Sequence, residues 1–195
     1  MKSIPALEKF VQVYDAGHSQ VISTTFVSDL ETPVSAMLKL AKGKPNSFLF
    51  DSVEGGKIRG RYSFIGMNPD LIWRCYGQCA EINRQALYNP DAYEVCESGV
   101  VESLRALNIE SAIELPEHLP PMASVLVGYM GYDTVRLMED IPENNPDVLS
   151  LPDGIFLRPT LIAVFDSIED IVTIITPVRP VEALDADEAY RNGLD

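Results

Sequence analysis

The stretch from Ser47 to Gly66, SFLFDSVEGGKIRGRYSFIG, constrains the fold of this chain more than any other. Two apolar runs, Phe48 to Phe50 and Arg61 to Ile65, flank a short polar segment with glycines at 55, 56 and 60. The aromatic and branched residues of the runs favour extended backbone, and runs joined so briefly read as an antiparallel pair. Asp70 to Tyr76 and Cys79 to Asn83 continue the pattern through Met-Asn-Pro and Gly-Gln turns, which predicts an antiparallel meander.

Around this meander the pattern alternates. Ile4, Leu7, Phe10, Val11 and Tyr14 recur at helical spacing, with Gly17 placed to end the helix, and Val21 to Phe26 reads as a strand. Thr32-Pro33 is an N-cap followed by a first-turn proline, predicting a helix over Val34 to Lys42 with Val34, Met37, Leu38 and Ala41 inward. A further helix is expected over Val95 to Leu107, then a loop over Pro116 to Pro121. Ala123 to Val127 reads as a buried strand meeting Gly128 and Gly131, with Asp133 capping a short helix, Thr134 to Met138. Glu139 to Asp153 should be an exposed excursion. Leu161 to Phe165 and Ile171 to Thr176 form a hairpin too apolar to face water on either side, and Val181 to Leu194 is helix-like. The expected class is α+β, antiparallel sheets packed face to face with peripheral helices, in a single domain spanning 1–195.

Fifteen basic against 29 acidic residues give a net charge of -14, which repels phosphate backbones and anionic lipid and excludes nucleic-acid binding or membrane docking as an expectation. No run reaches the ~20 apolar residues of a membrane helix, and no signal-peptide core follows the N-terminus. Cys75, Cys79 and Cys96 lack the paired spacing of a zinc site and read as reduced thiols in a cytoplasmic protein.

No catalytic set and no metal site is legible. His18 follows a helix-stopping glycine and His118 lies among prolines, so both read as surface residues. The glycines at 55, 56 and 60 are flanked by strands on both sides and lack the lysine-hydroxyl pair of a phosphate loop. Glu54, Lys57 and Arg59 read as solvated loop residues. Asp51, Ser52 and Arg61 stand at strand ends beside the glycines, where side chains converge. Asp51 can pair an ammonium, Ser52 can hydrogen-bond an amino acid's polar head, and Arg61 can grip a carboxylate with two prongs. The alternative is a structural salt bridge across the hairpin.

The same stretch resembles the Leu-Leu-Glu-Ser-Val-Glu-Gly-Gly-Glu-Arg-x-Gly-Arg-Tyr-Ser-Phe-Ile-Gly signature of anthranilate synthase component I. Phe26 to Ala36 resembles that family's lead-in to its first major helix, Val127-Gly128-Tyr129-Met130-Gly131-Tyr132-Asp133-Thr134-Val135-Arg136 its Gly-Tyr-Phe-Gly-Tyr-Asp-x-x-Arg motif, and Val164-Phe165-Asp166-Ser167 the strand after it. The resemblance implies the amino-terminal, regulatory domain alone, the carboxy-terminal chorismate-binding catalytic domain being absent. It implies L-tryptophan as a feedback inhibitor bound at Ser52, with Asp51 and Arg61, or Arg59 in its place, lining the site. The family has glutamate where this chain has Asp51. For the complete subunit it implies conversion of chorismate to anthranilate and pyruvate, with magnesium as cofactor and ammonia from a glutamine amidotransferase subunit. Aminodeoxychorismate synthase, another chorismate-utilising enzyme and a stand-alone amino-acid-binding module are the rival readings. The apolar strands Val125 to Tyr129, Leu161 to Phe165 and Ile171 to Ile175 are expected to pack on the absent domain.

Overall fold

A computed structural model describes residues 4–52, 60–142 and 146–194. In chain order the elements are α1 (Leu7–Asp15), β1 (Gln20–Val27), α2 (Pro33–Leu40), β2 (Phe48–Phe50), β3 (Tyr62–Tyr76), β4 (Cys79–Asn83), β5 (Tyr93–Val95), α3 (Val100–Ser111), β6 (Val127–Met130), β7 (Gly154–Asp166), β8 (Ile171–Val178) and α4 (Ala186–Asn192). Short 3-10 turns occupy Pro121–Ala123 and Tyr132–Leu137. The strands pair in the order β1-β8-β7-β3-β4-β5, with β2 also on β3 and β6 also on β7. The class is α+β, as expected, and the strands join one hydrogen-bonded network. The residues group into two compact units, Met1–Asn68 with Ile113–Val125 and Thr160–Asp195, and Pro69–Ala112 with Leu126–Pro159. No composition change in the sequence marks this division, because β3 and β7 each run from one unit into the other.

In the first unit β1 lies antiparallel on β8 from Gln20↔Val178 to Val27↔Ile171, and β8 returns on β7 from Ile162↔Ile175 to Asp166↔Ile171. Strand alternation sends Ala163 and Phe165 to one cluster, with Ile65, Met67 and the α2-side residues Ala36 and Ala41. It sends Ile162, Val164 and Ile175 to another, with Val21, Ala123 and the segment carrying Ile113, Leu115, Leu119 and Met122. The β7–β8 hairpin is therefore covered on both faces by its own unit, and needs no further domain to shield it. Phe10 and Tyr14 of α1 pack with Ala186 and Ala189 of α4 over Ile22. Gly17, at φ +79°, ends α1 as the sequence predicts.

In the second unit Trp73, fully buried, is the centre of a cluster with Leu71, Cys75, Ala80, Val100 and Leu107. Its Nε1 donates to Ser103 Oγ at 3.0 Å, and Ser103 Oγ donates to the Val100 carbonyl at 3.0 Å. Arg158 is 8% exposed, yet its Nε and Nη2 meet both oxygens of Asp70 at 2.8 Å and its Nη1 reaches Glu110 at 3.2 Å. A buried guanidinium is tolerable only with such partners.

Several local expectations change. Met67-Asn68-Pro69 does not turn the chain: Asn68 takes φ +51° inside the 15-residue β3, and its carbonyl accepts from Thr160 Oγ1 at 2.7 Å. Asparagine tolerates that conformation locally, so an apparent turn signal becomes an irregularity within one strand. Val34 and Leu38 are exposed, and α2 instead buries Ala36. Thr32 caps α2 through a reciprocal box with Ser35. The segment expected as one helix from Val95 divides into β5 and α3, which starts at Val100. β6 is short and exposed beyond Val127, and Asp133 pairs with Arg136 rather than capping a helix.

Candidate functional site

β2 is three residues long, and alternation divides it sharply. Leu49 faces Ile65 and packs with the α2 cluster. Phe48 and Phe50 point the other way with Phe64: the Phe50 and Phe64 rings stack at 5.3 Å, and Phe48 stands edge-on to both at 5.6 and 6.1 Å. A Cβ at Gly66 would lie 2.2 Å from Phe48 Cζ, so glycine there is what admits the ring.

One residue beyond this aromatic face the strand pair becomes polar. Ser63, 7% exposed, donates from Oγ to Asp51 Oδ1 at 2.7 Å and accepts the Ser52 amide at 3.0 Å. The Ser52 hydroxyl rests against Gly60, where an added Cβ would fall 1.7 Å from Ser52 Oγ. Asp51 and the Ser52 amide thus share a partner in Ser63, a residue that sequence reasoning missed. The signal for Ser63 was a hydroxyl at an inward position between Tyr62 and Phe64, since a buried hydroxyl requires a partner.

Arg61 meets a different fate. Its Nε and Nη2 donate to Asp166 Oδ2 at 2.9 and 2.7 Å, and its guanidinium lies 4.9 Å over the Tyr62 ring. Asp166 is 8% exposed, and its Oδ1 accepts the amides of Ile168 and Glu169 at 3.0 and 3.3 Å. Arg61 does form a structural salt bridge, but with Asp166 at the end of β7 and not across the β2–β3 hairpin. Glu54, Gly55, Gly56, Lys57 and Arg59 lie outside the described residues.

Hydrogen bonds from Arg61, followed by the turn amides, hold the Asp166 carboxyl below the usual carboxylate range against the opposing effect of burial. Arg61 is raised in turn by Asp166. A carboxyl whose folded pKa is depressed stabilises the fold fully above its unfolded value, about 3.9, and loses that contribution as pH falls through the lower folded value. Asp166→Asn should therefore be less stable than the parent near pH 7, with the difference shrinking steadily below about pH 4. Urea unfolding of both proteins across pH 2 to 7 measures it; a difference that stays constant with pH contradicts the assignment.

In the other unit a cavity of about 680 Å³ is lined by Tyr76, Tyr129, Asp133, Arg136 and Asp153 among others. Its charged groups have partners within the protein: Arg136 pairs with Asp133, Asp153 accepts the Gly77 amide at 2.6 Å, and Asp147 accepts the Leu149 and Ser150 amides at 3.1 and 2.9 Å. Among the described residues no three His, Cys, Asp or Glu side chains converge as a metal site, and no helix is long and apolar enough to cross a membrane. The three cysteines are free thiols.

An α+β chain with a long antiparallel strand path has its counterpart among solved structures. The fold is similar to anthranilate synthase component I from Streptococcus pneumoniae TIGR4, with TM-score 0.51 and 18% identity over 86% of this chain and 35% of that one. In sequence it is 46% identical over 185 residues to anthranilate synthase component 1 of Cereibacter sphaeroides, covering 95% of this chain and 37% of that protein. It is 37% identical over 164 residues to the protein of the same name from Thermus thermophilus, and 32% identical over 194 residues to that from Synechocystis. The chain belongs to the anthranilate synthase component I family and corresponds to its amino-terminal part, spanning about 37% of the length of the Cereibacter relative. No family model matches it.

Proposed function

We propose that this chain is the tryptophan-sensing part of an anthranilate synthase component I, acting in the cytoplasm in tryptophan biosynthesis. The observation that carries the reading is the convergence of Asp51, Ser52 and buried Ser63 at the end of the β2–β3 pair, where strand alternation puts Asp51 and Ser63 on the Leu49–Ile65 face and Ser52 on the face that carries the Phe48, Phe50 and Phe64 rings. An acid and a hydroxyl suit the ammonium and polar head of an amino acid, and an aromatic face suits an indole. Because Arg61 is engaged with Asp166, its role toward the ligand carboxylate is that of a bordering cation, which Arg59 or the remainder of the subunit could complement.

In the complete subunit the reaction is conversion of chorismate to anthranilate and pyruvate, with ammonia supplied by a glutamine amidotransferase partner. Magnesium belongs to that activity. The described residues of this chain do not fit it, since they hold no cluster of ligating side chains. The names of the relatives favour this branch over aminodeoxychorismate synthase or a stand-alone amino-acid-binding module.

Two measurements on the purified 195-residue chain test the proposal. Supplied with chorismate, magnesium and ammonium salt, the chain should form no anthranilate; fluorescent product would refute its assignment as purely regulatory. Calorimetric titration with L-tryptophan should show weak binding to the chain and tighter binding to the complete subunit, because part of the pocket belongs to the remaining domain. Absence of binding to the complete subunit would remove the sensing role.

A further inference from the structure

Resting on the tryptophan reading above, we infer that the turn joining β7 to β8 is the positioning element of the Ser52 site, with Asp166 as its principal residue. Asp166 and Ser167 are 105 or more residues from Gly60 and Arg61 in sequence, yet they hold that backbone just before β3. Arg61 is clasped by its side chain to Asp166. Its carbonyl accepts the Ser167 amide at 2.9 Å and the Ser167 hydroxyl at 3.1 Å, and the Gly60 carbonyl lies 3.2 Å from the same hydroxyl. Gly60 is the wall against which the Ser52 hydroxyl rests.

The chain of contacts is short and directional. Asp166 is fixed from behind by the Ile168 and Glu169 amides, so the turn is rigid at the acid. It orients Arg61; Arg61 and Ser167 set the Gly60 backbone; Gly60 sets where Ser52 Oγ can stand. Both carboxyl oxygens of Asp166 are occupied by protein donors, which leaves the acid no direct part in gripping a ligand and makes it a positioning residue. The charged group facing it across the clasp is Arg61, and the other acid nearby in the turn, Glu169, acts on the same guanidinium.

A double-mutant cycle in the complete subunit tests this. L-tryptophan for half inhibition, and its dissociation constant by calorimetry, are measured for the parent, Ser52→Ala, Asp166→Asn and the double variant. Asp166→Asn should raise both by roughly five- to tenfold, the scale of one ordinary hydrogen bond and less than removal of the Ser52 hydroxyl itself, because Asp166 acts only through its placement. The double variant should be no worse than Ser52→Ala alone, because Asp166 acts through the placement of Ser52. Additive effects would overturn the inference: they would mean that Arg61 and Asp166 meet the ligand independently of Ser52, or that the clasp only stabilises the fold. An Asp166→Asn response within twofold of the parent, beside a raised Ser52→Ala, would also overturn it while leaving the tryptophan reading intact. An unmoved Ser52→Ala would overturn both. Should Asp166→Asn fail to fold, Ser167→Ala enters the same cycle, with about two- to fivefold expected and the same additivity criterion.

Discussion

Ser52→Phe in the complete subunit is expected to abolish inhibition by L-tryptophan over any concentration that inhibits the parent. The Ser52 hydroxyl is packed so closely against Gly60 that a single added carbon at the glycine would lie 1.7 Å from it. A phenyl ring at position 52 has no room on that side, and must turn into the space proposed for the ligand. Ser52→Ala is the milder version. It leaves the amide bond to Ser63 in place and removes only the hydroxyl, so a hydrogen bond to a charged ligand group is lost, worth about 1.5 to 3 kcal/mol or roughly 10- to 150-fold in affinity. The tryptophan needed for half inhibition should rise at least tenfold, read as the ratio of inhibited to uninhibited rate within each variant. Reciprocity adds an internal check: whatever factor tryptophan exerts on chorismate binding, chorismate must exert on tryptophan binding, and both should shrink together where the coupling is lost. A Ser52→Phe enzyme as sensitive as the parent would place the regulatory site elsewhere.

Trp73→Ala should be the most damaging single substitution for stability, costing about 3 to 5 kcal/mol. The indole is fully buried and fills the centre of the second unit's core, with the Phe156 ring 6.1 Å away. Its truncation leaves a cavity that Leu71, Val100 and Leu107 cannot close without moving the helix that carries the last two. It also removes the donor that Ser103 Oγ accepts, although that hydroxyl keeps its own bond to the Val100 carbonyl. Trp73→Phe should cost less, because the aromatic bulk survives and only the N–H and part of the volume are lost. Urea unfolding followed by far-ultraviolet dichroism compares the three proteins. A loss under about 1 kcal/mol for Trp73→Ala would show that the core relaxes far more readily than its packing implies.

The candidate site divides along the same line as the fold. Asp51 and Ser52 were legible because their neighbours at strand ends and beside glycines leave few places for polar side chains to go. Ser63 was within reach of the same logic, being a hydroxyl in an otherwise apolar strand. Asp166 was not: its turn amides at Ile168 and Glu169 engage only one carboxyl oxygen, and the partner of the other, Arg61, lies 105 positions away. The reading of Arg61 as a free two-pronged grip failed to anticipate this pairing, since a guanidinium takes whichever carboxylate the fold presents first.

Local chemistry set the parts that depend on neighbours in sequence: the Thr32-Pro33 cap, the Gly17 stop, the short β2 with its alternating aromatic residues, and the β7–β8 hairpin. Each follows from backbone sterics or a two-residue periodicity that operates within a few residues. Tertiary structure decided what depends on distant partners. Asn68 and Pro69 carry the signal of a turn, yet they lie inside β3, where the Asn68 carbonyl accepts from Thr160. Val34 and Leu38 have the spacing of a buried face, yet the sheet accepts the small Ala36 and leaves them in water. The hydrophobic effect rewards burial without specifying direction, so which stripe of a helix faces inward, and which acid meets which guanidinium, is settled only when the other surface is in place.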